Sequence, residues 1–470
     1  MTVNMDNDSV FIGGSWLRRA TNEVFNPATE EAIGTAAVGS AADVDQAVTA
    51  ATRAGSSWGR SSQAQRAQLL RSLHAELSAQ RTALIDTTVA EVGAPVSVAA
   101  AAHVGLAIEL IDGFARLADA QPPTTRVGNS TLLRKPAGVV GCITPWNYPL
   151  YQLAAKIGAA LAAGCTTVIK PAELTPLSTY LFCRAAQSAG IPDGVINLIP
   201  GAGSEVGAAI VAHPGVNVVS FTGSTTVGRG VAEVAGHQLK RACLELGGKS
   251  ASIVLDDADL STAVRSSVEA AMLNSGQTCS AWTRLLVPRY QFDDAVAIAS
   301  AHAAGMRVGD PRLPDTELGP LISAKQRRAV LTAVEHAREQ GARLSADPLR
   351  GLPARGHFVN PIVISGVRRS DPIVQDEIFG PVLVVLAHDG DDDAVDIAND
   401  SRYGLAGAVW SADDDRAFGV AARLETGQVD INGAPFNPLA PFGGWKESGL
   451  GRELGALGID EFIEYTSVQR

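Results

Sequence analysis

Val139-Val140-Gly141-Cys142-Ile143, the loop Thr144-Pro145-Trp146-Asn147-Tyr148-Pro149, the run 151–163 and then Thr166-Thr167-Val168-Ile169 form the stretch that decides the fold. A compact apolar run, a polar loop with two prolines, a segment of helical periodicity and a β-branched tetrad read as strand, loop, helix and strand. Such a unit belongs to a parallel sheet covered by helices. The rhythm continues on both sides. Residues 41–57 and 61–90 carry helical periodicity, and 176–189 predicts the next helix. Ile196-Asn197-Leu198-Ile199 and Val216-Asn217-Val218-Val219-Ser220-Phe221 continue the strand series, so residues 135–245 read as a doubly wound α/β unit.

A second α/β block, over 246–445, opens with Ser250-Ala251-Ser252-Ile253-Val254-Leu255. Strands are expected at 281–287 and 382–386, and helices at 262–274, 292–305 and 324–340. Residues 126–135 resemble a hairpin belonging to neither core. A chain of 470 residues exceeds what one core supports, so two or more domains are expected. No internal repeat or long linker separates them.

The formal net charge of −11 argues against nucleic-acid or anionic-membrane partners, which need basic surface. The five cysteines, Cys142, Cys165, Cys183, Cys243 and Cys279, are widely spaced and form no CxxC pair. That pattern predicts free thiols in a reducing, cytoplasmic compartment and no metal site. The stretch 1–8 is acidic, unlike a secretory or mitochondrial presequence. Residues 136–155 carry no charge, yet Pro136, Asn147, Pro145, Pro149 and Gln152 interrupt them. They read as buried strand, loop and helix rather than a membrane span.

Cys279 lies in Asn274-Ser275-Gly276-Gln277-Thr278-Cys279-Ser280, among flexible, small and polar neighbours. Glu245 lies in Leu244-Glu245-Leu246-Gly247-Gly248-Lys249, at the end of an apolar strand. A thiol and a carboxylate, with all eight histidines outside every motif, point to covalent catalysis on a carbonyl. Each residue alone also fits an inert role, as a buried thiol or an ion-paired glutamate. Desolvation at the strand end would raise Glu245 until it serves as a general base for water. Asn147, on its rigid loop, is a candidate oxyanion donor and equally a turn asparagine.

Phe221-Thr222-Gly223-Ser224-Thr225-Thr226-Val227-Gly228 follows a strand and opens a helix, where close backbone approach and the helix N-terminus favour phosphate. Lys170-Pro171-Ala172-Glu173 puts a cation and a carboxylate at another strand end. A carboxylate there binds ribose hydroxyls and repels a 2′-phosphate, favouring NAD over NADP. Glu377-Ile378-Phe379-Gly380-Pro381 offers a carboxylate and an aromatic beside a Gly-Pro turn, suited to a second ribose and a nicotinamide ring.

Together, Pro-Trp-Asn, Lys-Pro-Ala-Glu, Phe-Thr-Gly-Ser, Glu-Leu-Gly-Gly-Lys, Gly-Gln-x-Cys, Glu-Ile-Phe-Gly-Pro and Pro-Phe-Gly-Gly-x-Lys, in this order, resemble the aldehyde dehydrogenase superfamily from about residue 10 to 470. The resemblance implies a Rossmann-type cofactor domain (1–115 and 136–246), a catalytic domain (247–447) and an oligomerisation region (116–135 and 448–470) that joins copies into a homodimer or homotetramer. It implies Cys279 as nucleophile, Glu245 as base, and Asn147 with the Cys279 N–H as oxyanion hole. Lys156 and Glu453 match positions linked to proton relay. Thr144, Pro145, Trp146, Lys170, Glu173, Gly203, Gly207, Phe221, Thr222, Gly223, Ser224, Val227, Gly228, Leu246, Gly247, Glu377 and Phe379 match the NAD site. Tyr148, Gln152, Thr278, Ser280, Trp282, Phe436 and Phe442 match the aldehyde tunnel. Two departures stand out: Trp282 where the family usually has a small residue, and Asp430-Ile431-Asn432-Gly433 in place of a more apolar strand.

The implied reaction is NAD-dependent oxidation of a small-molecule aldehyde to its acid, with water releasing a Cys279 thioester; because Glu245 is present, the branch is hydrolytic rather than CoA-acylating. The alternatives are an NADP-preferring semialdehyde dehydrogenase, a cofactor-independent thiol hydrolase or acyltransferase, and a catalytically retired homologue.

Overall fold

A computed structural model describes residues 5–470 of the protein. Met1 to Asn4, part of the acidic stretch read above, lie outside the described residues. Five parallel strands form the centre of the first sheet: β1 (Val139–Ile143), β2 (Thr166–Lys170), β3 (Ile196–Leu198), β4 (Val218–Thr222) and β5 (Arg241–Glu245). Their spatial order is β5-β4-β1-β2-β3, so the chain winds outward from β1, returns, and winds the other way from β4. Every residue of β1, β2 and β4 is buried, as a parallel sheet covered on both faces requires. Short antiparallel strands close the edges. Ser9–Ile12 and Ser15–Arg18 lie beyond β3, and Gly449–Leu450 lies beside β5.

Local signals fix the helices. Ser40 and Ser62 each close a capping box on the helices Ala41–Trp58 and Gln63–Ala79. Pro149 stands in the first turn of Pro149–Ala163, where its missing N–H costs nothing, and Gly164 ends that helix at φ +89°. Nearly every residue of this helix is buried. The uncharged run 136–155 is therefore strand, loop and core helix, as its interruptions predicted. Among the described residues, Val96–Ala120 is the one helical stretch long and apolar enough to cross a membrane. It packs against the helices Gln63–Ala79 and Pro149–Ala163 in the core.

Six parallel strands of the second sheet run β8-β9-β7-β6-β10-β11 in space, from β6 (Ala251–Val254), β7 (Arg284–Pro288), β8 (Ile362–Ser365), β9 (Val382–His388), β10 (Gly407–Trp410) and β11 (Asp430–Ile431), and the short strand Arg343–Leu344 pairs antiparallel with β8 at the edge. Helices Leu260–Met272, Phe292–Gly305 and Ala324–Glu339 fall where periodicity placed them. One expectation is corrected. The strand foreseen over 281–287 begins only at Arg284, because the Ala281 N–H donates to Thr278 and the Thr283 N–H to Ala281, continuing the turn that carries Cys279.

A third, antiparallel sheet joins Thr124–Val127, Ser130–Pro136 and Ile463–Gln469. Every residue of Thr124–Val127 is exposed. Residues 116–120 are the last turn of the helix Leu106–Ala120, and Gly455–Asp460 packs against Pro149–Ala163.

Candidate active site

Cys279 sits on a loop with an unusual backbone. Asn274, Ser275 and Gly276 follow one another at φ +54°, +58° and +73°. For two of these residues the left-handed region costs roughly 1–2 kcal/mol each, so neighbours must hold them. The Asn274 Nδ2 donates to the Asn147 carbonyl at 3.0 Å, and the Asn147 Nδ2 donates to the Gln277 carbonyl at 3.0 Å. Ser275 Oγ donates to Gly319 O at 2.9 Å, and the Ile322 N–H donates to Gln277 Oε1 at 2.9 Å. Gly276 has no alternative, since a Cβ there would lie 2.1 Å from the Gly380 carbonyl oxygen. The loop is thereby set against both the Asn147 loop and the Phe379-Gly380-Pro381 turn.

The Cys279 residue is partly exposed, but its sulfur lies in desolvated surroundings. Burial, then the carboxylates of Glu377 and Glu245, push the thiol up to about 12, while the N–H groups of Ser280 and Cys279 itself pull the other way. Unliganded Cys279 is thus a thiol at neutral pH, and its thiolate fraction grows about tenfold per pH unit. Alkylation of Cys279 by iodoacetamide, followed by peptide mass spectrometry without ligands, is expected to accelerate about a hundredfold between pH 7 and 9. A rate independent of pH would contradict this.

Glu245 ends β5 with 2% of its surface exposed and neither carboxylate oxygen hydrogen-bonded. Burial, then the nearby Glu453, raise it well above the usual carboxylate range; Lys156 and Arg452 offset part of this. Gly443 makes room for it, because a Cβ there would stand 2.8 Å from Glu245 Oε1. Lys156, wholly buried in the helix Pro149–Ala163, pairs with Glu453 and donates to Thr222 Oγ1 at 2.6 Å. Ser220 Oγ donates to Glu453 at 3.4 Å, and Thr222 Oγ1 to Gln152 Oε1 at 3.3 Å. The partly buried Tyr151 phenol is raised first by desolvation, then by Glu453, Cys279 and Glu245.

A cavity of about 220 Å³ opens at Cys279. Tyr148, Gln152, Thr278, Ser280, Trp282, Phe436 and Phe442 all line it. The Tyr148 hydroxyl and Thr278 Oγ1 are 2.8 Å apart, and Phe442 exchanges backbone hydrogen bonds of 2.7 Å with Glu453. Asn147 is buried against the Cys279 loop, with one amide hydrogen committed to the Gln277 carbonyl. Sequence reasoning missed Tyr151, Ala102, Leu106, Gln428 and Asp430 on the wall. Asp430 was visible as a departure without a place. Ala102 and Leu106 arrive from a distant helix and carry no local signal. None of the eight histidines lines this cavity; His103 stacks on Tyr148 at 4.3 Å, buried and kept neutral, pushed down to about 3 by desolvation.

The remaining candidates gather at the carboxyl ends of the first sheet, around the switch between β1 and β4. Thr144, Pro145 and Trp146 leave β1, and the Thr144 N–H donates to Lys170 at the end of β2. The buried Lys170 ammonium is pushed down by desolvation and supported by Glu173. The Glu173 carboxylate accepts from the Gly203 N–H at 3.0 Å, on the turn Gly203–Gly207. Phe221, Thr222, Gly223 and Ser224 leave β4. Ser224 caps the helix Thr225–His237 by accepting from the Val227 N–H, while Gly228 admits Leu246, whose side chain a Cβ would strike at 2.4 Å. Across the crevice, Glu377 accepts from the Gly248 N–H at 3.0 Å, and a Cβ on Gly247 would meet its carboxylate at 2.3 Å. Burial raises Glu377 to about 7. Trp146 meets Phe379 edge-on at 5.2 Å. A crevice at the topological switch point, with a helix N-terminus on one side and a buried cation on the other, fits a dinucleotide.

The aldehyde dehydrogenase family model matches residues 16–468. The chain belongs to the aldehyde dehydrogenase family. This aldehyde dehydrogenase is 43% identical to the 3-succinoylsemialdehyde-pyridine dehydrogenase of a Pseudomonas species, covering 98% of both chains. It is 41% identical to the geranial dehydrogenase of Castellaniella defragrans, over 99% of each. A mutant of Pseudomonas syringae aldehyde dehydrogenase C, solved with NAD+ and octanal, superposes with a TM-score of 0.97 at 41% identity, covering 100% of this chain and 99% of that one. The Bacillus cereus aldehyde dehydrogenase in its NAD+ complex gives 0.96 at 38% identity, covering 99% and 96%.

Proposed function

We propose that this aldehyde dehydrogenase oxidises an aldehyde to the carboxylic acid with NAD+, through a thioester on Cys279. The observation that carries the reading is the convergence of Cys279, the unpartnered Glu245 and an aromatic-lined cavity beside a dinucleotide-shaped crevice. Lys170, Glu173, Gly223, Ser224, Glu377 and Phe379 would hold NAD+, which supplies the hydride acceptor. The Cys279 thiol first releases its proton to water; its sulfur then adds to the carbonyl carbon, the C–S bond forming as the C=O π bond breaks and the negative charge passes to oxygen. The uncommitted amide hydrogen of Asn147 and the Cys279 N–H are the donors for that oxyanion. Once the carbon has given up its hydride, the sulfur carries an acyl group. Glu245 then takes a proton from water, the hydroxide attacks the thioester, the C–S bond breaks and the acid leaves. Lys156 and Glu453 form the buried route by which that proton moves on. A purified enzyme that made no NADH from any of a panel of aliphatic, aromatic and semialdehyde substrates would defeat the reading. A cofactor-independent thiol hydrolase finds no support, because no histidine stands at Cys279.

NAD preference rests on Glu173, whose carboxylate would repel a 2′-phosphate. Replacing Glu173 with Gln is expected to lower the NAD+ to NADP+ ratio of kcat/KM about tenfold, since removing one charge repulsion is worth roughly 1.4 kcal/mol. An unchanged ratio would assign the preference elsewhere. The proposed organisation follows the same lines: a cofactor domain at 1–115 and 136–246, a catalytic domain at 247–447, and 116–135 with 448–470 as the joining region. The edge strand Thr124–Val127 is uncovered and offers unpaired backbone groups to a second copy. Light scattering on the eluting protein is expected to give the mass of a dimer or tetramer, and a monomer would contradict it. The enzyme is proposed to act in the cytoplasm, where its five free cysteines stay reduced.

A further inference from the structure

Asp430, the first residue of β11, is the one charged side chain on the Cys279 cavity wall among the described residues. Nothing in the oxidation chemistry uses it. Its Oδ1 accepts from Gln428 Nε2 at 2.9 Å, and no lysine, arginine or histidine pairs with it. The backbone fixes its place, since β11 pairs with β10 in the register Ala408–Asp430. Burial raises its carboxyl above the ordinary value, with only the Gln428 hydrogen bond working in the other direction. Facing the same space are the rings of Trp282, Phe436 and Phe442. Those rings are braced: Trp282 stands edge-on to Trp410 at 6.3 Å, and Phe436 edge-on to Phe442 at 6.2 Å.

A half-desolvated carboxylate without a cation is an uncompensated charge, and the natural relief is a positive group supplied by a ligand. Aromatic faces attract the same group. A second carboxylate brought into this cavity would meet repulsion and no basic side chain to bind it. We propose that Asp430 makes the aldehyde cavity selective for substrates bearing a positively charged nitrogen and against semialdehydes that end in a carboxylate. The inference rests on the reading that this cavity receives the aldehyde, and it adds the charge class of the substrate's far end.

Three probes of one length isolate charge from shape: 4-(trimethylammonio)butanal, its neutral carbon isostere 5,5-dimethylhexanal, and 5-oxopentanoate. Each kcat/KM is divided by that of the neutral probe, so a general loss of activity cancels. In the wild type the cationic ratio is expected to exceed one and the anionic ratio to fall well below it. In Asp430→Asn the cationic ratio is expected to drop about tenfold and the anionic ratio to rise by a similar factor. Asp430→Glu, which keeps the charge, is expected to keep the wild-type order; with the wild type it decides the matter if the asparagine variant does not fold. Equal ratios in wild type and Asp430→Asn, or a wild type that favours 5-oxopentanoate, would overturn the inference while leaving aldehyde oxidation standing. A wild type that makes no NADH from any probe overturns aldehyde oxidation itself, and this inference with it.

Discussion

Replacing Cys279 with alanine is expected to reduce aldehyde-dependent NADH formation by at least about 10⁴-fold, or roughly 5–6 kcal/mol of transition-state stabilisation. The size follows from the chemistry. Without sulfur there is no tetrahedral adduct, so hydride would have to leave a hydrated aldehyde that no side chain holds. No neighbouring group replaces it, because Thr278 Oγ1 donates to Leu273 O and meets the Tyr148 hydroxyl, and no base stands by it. NAD+ binding, followed by quenching of tryptophan fluorescence, is expected to survive, since the crevice residues lie at the ends of β1, β2, β4 and β5 and on the turn before β9 rather than on the Cys279 loop. Stopped assays with a saturating aldehyde check the rate. A variant within tenfold of wild type would remove Cys279 from the mechanism.

The Glu245→Gln variant is expected to separate the two halves of the reaction. Its steady-state rate should fall at least about a hundredfold, the usual share of a positioned general base, while a first turnover of NADH persists. Burial, then Glu453, raise Glu245 well above the ordinary carboxylate range. The basic form grows as pH rises through that elevated value. A wild-type rate limited by thioester hydrolysis therefore climbs with pH over that range, and the variant lacks the climb. Glutamine retains shape and removes charge, so the buried Lys156–Glu453 pair loses an acidic neighbour rather than a packing partner. A normal steady-state rate in this variant would assign the base elsewhere.

Much of the first sheet was legible because each strand is a short apolar run bounded by glycine, proline or a cap, and because buried parallel strands need no alternation. The second sheet's β7 was misread at its start for a physical reason. Ala281, Trp282 and Thr283 look apolar or β-branched, yet the Ala281 and Thr283 N–H groups turn back onto Thr278 and Ala281, and only the Thr283 carbonyl reaches β9, accepting from the Val384 N–H. The edge strand Gly449–Leu450, at two residues, is too short for periodicity to find.

At the candidate site, ordered motifs identified the residue types but not their connections. Lys156 and Glu453 are 297 positions apart, and nothing local announces their pairing. The left-handed backbone of Asn274 and Ser275 was equally hidden, since only Gly276 carries a conformational signature in sequence. Asn147 illustrates the mixture. Its loop marked it as an oxyanion donor, whereas the structure also gives it the separate task of bracing the Cys279 loop.

The central claim is that Cys279 carries the oxidised carbon as a thioester until Glu245 activates water. Mixing Glu245→Gln enzyme with NAD+ and an aldehyde, quenching, and measuring the mass of the Cys279 peptide tests it most directly. The account predicts one NADH per active site and a Cys279 peptide heavier by the aldehyde less two hydrogens. NADH released with Cys279 unmodified, or the acyl group found on another residue, would contradict it.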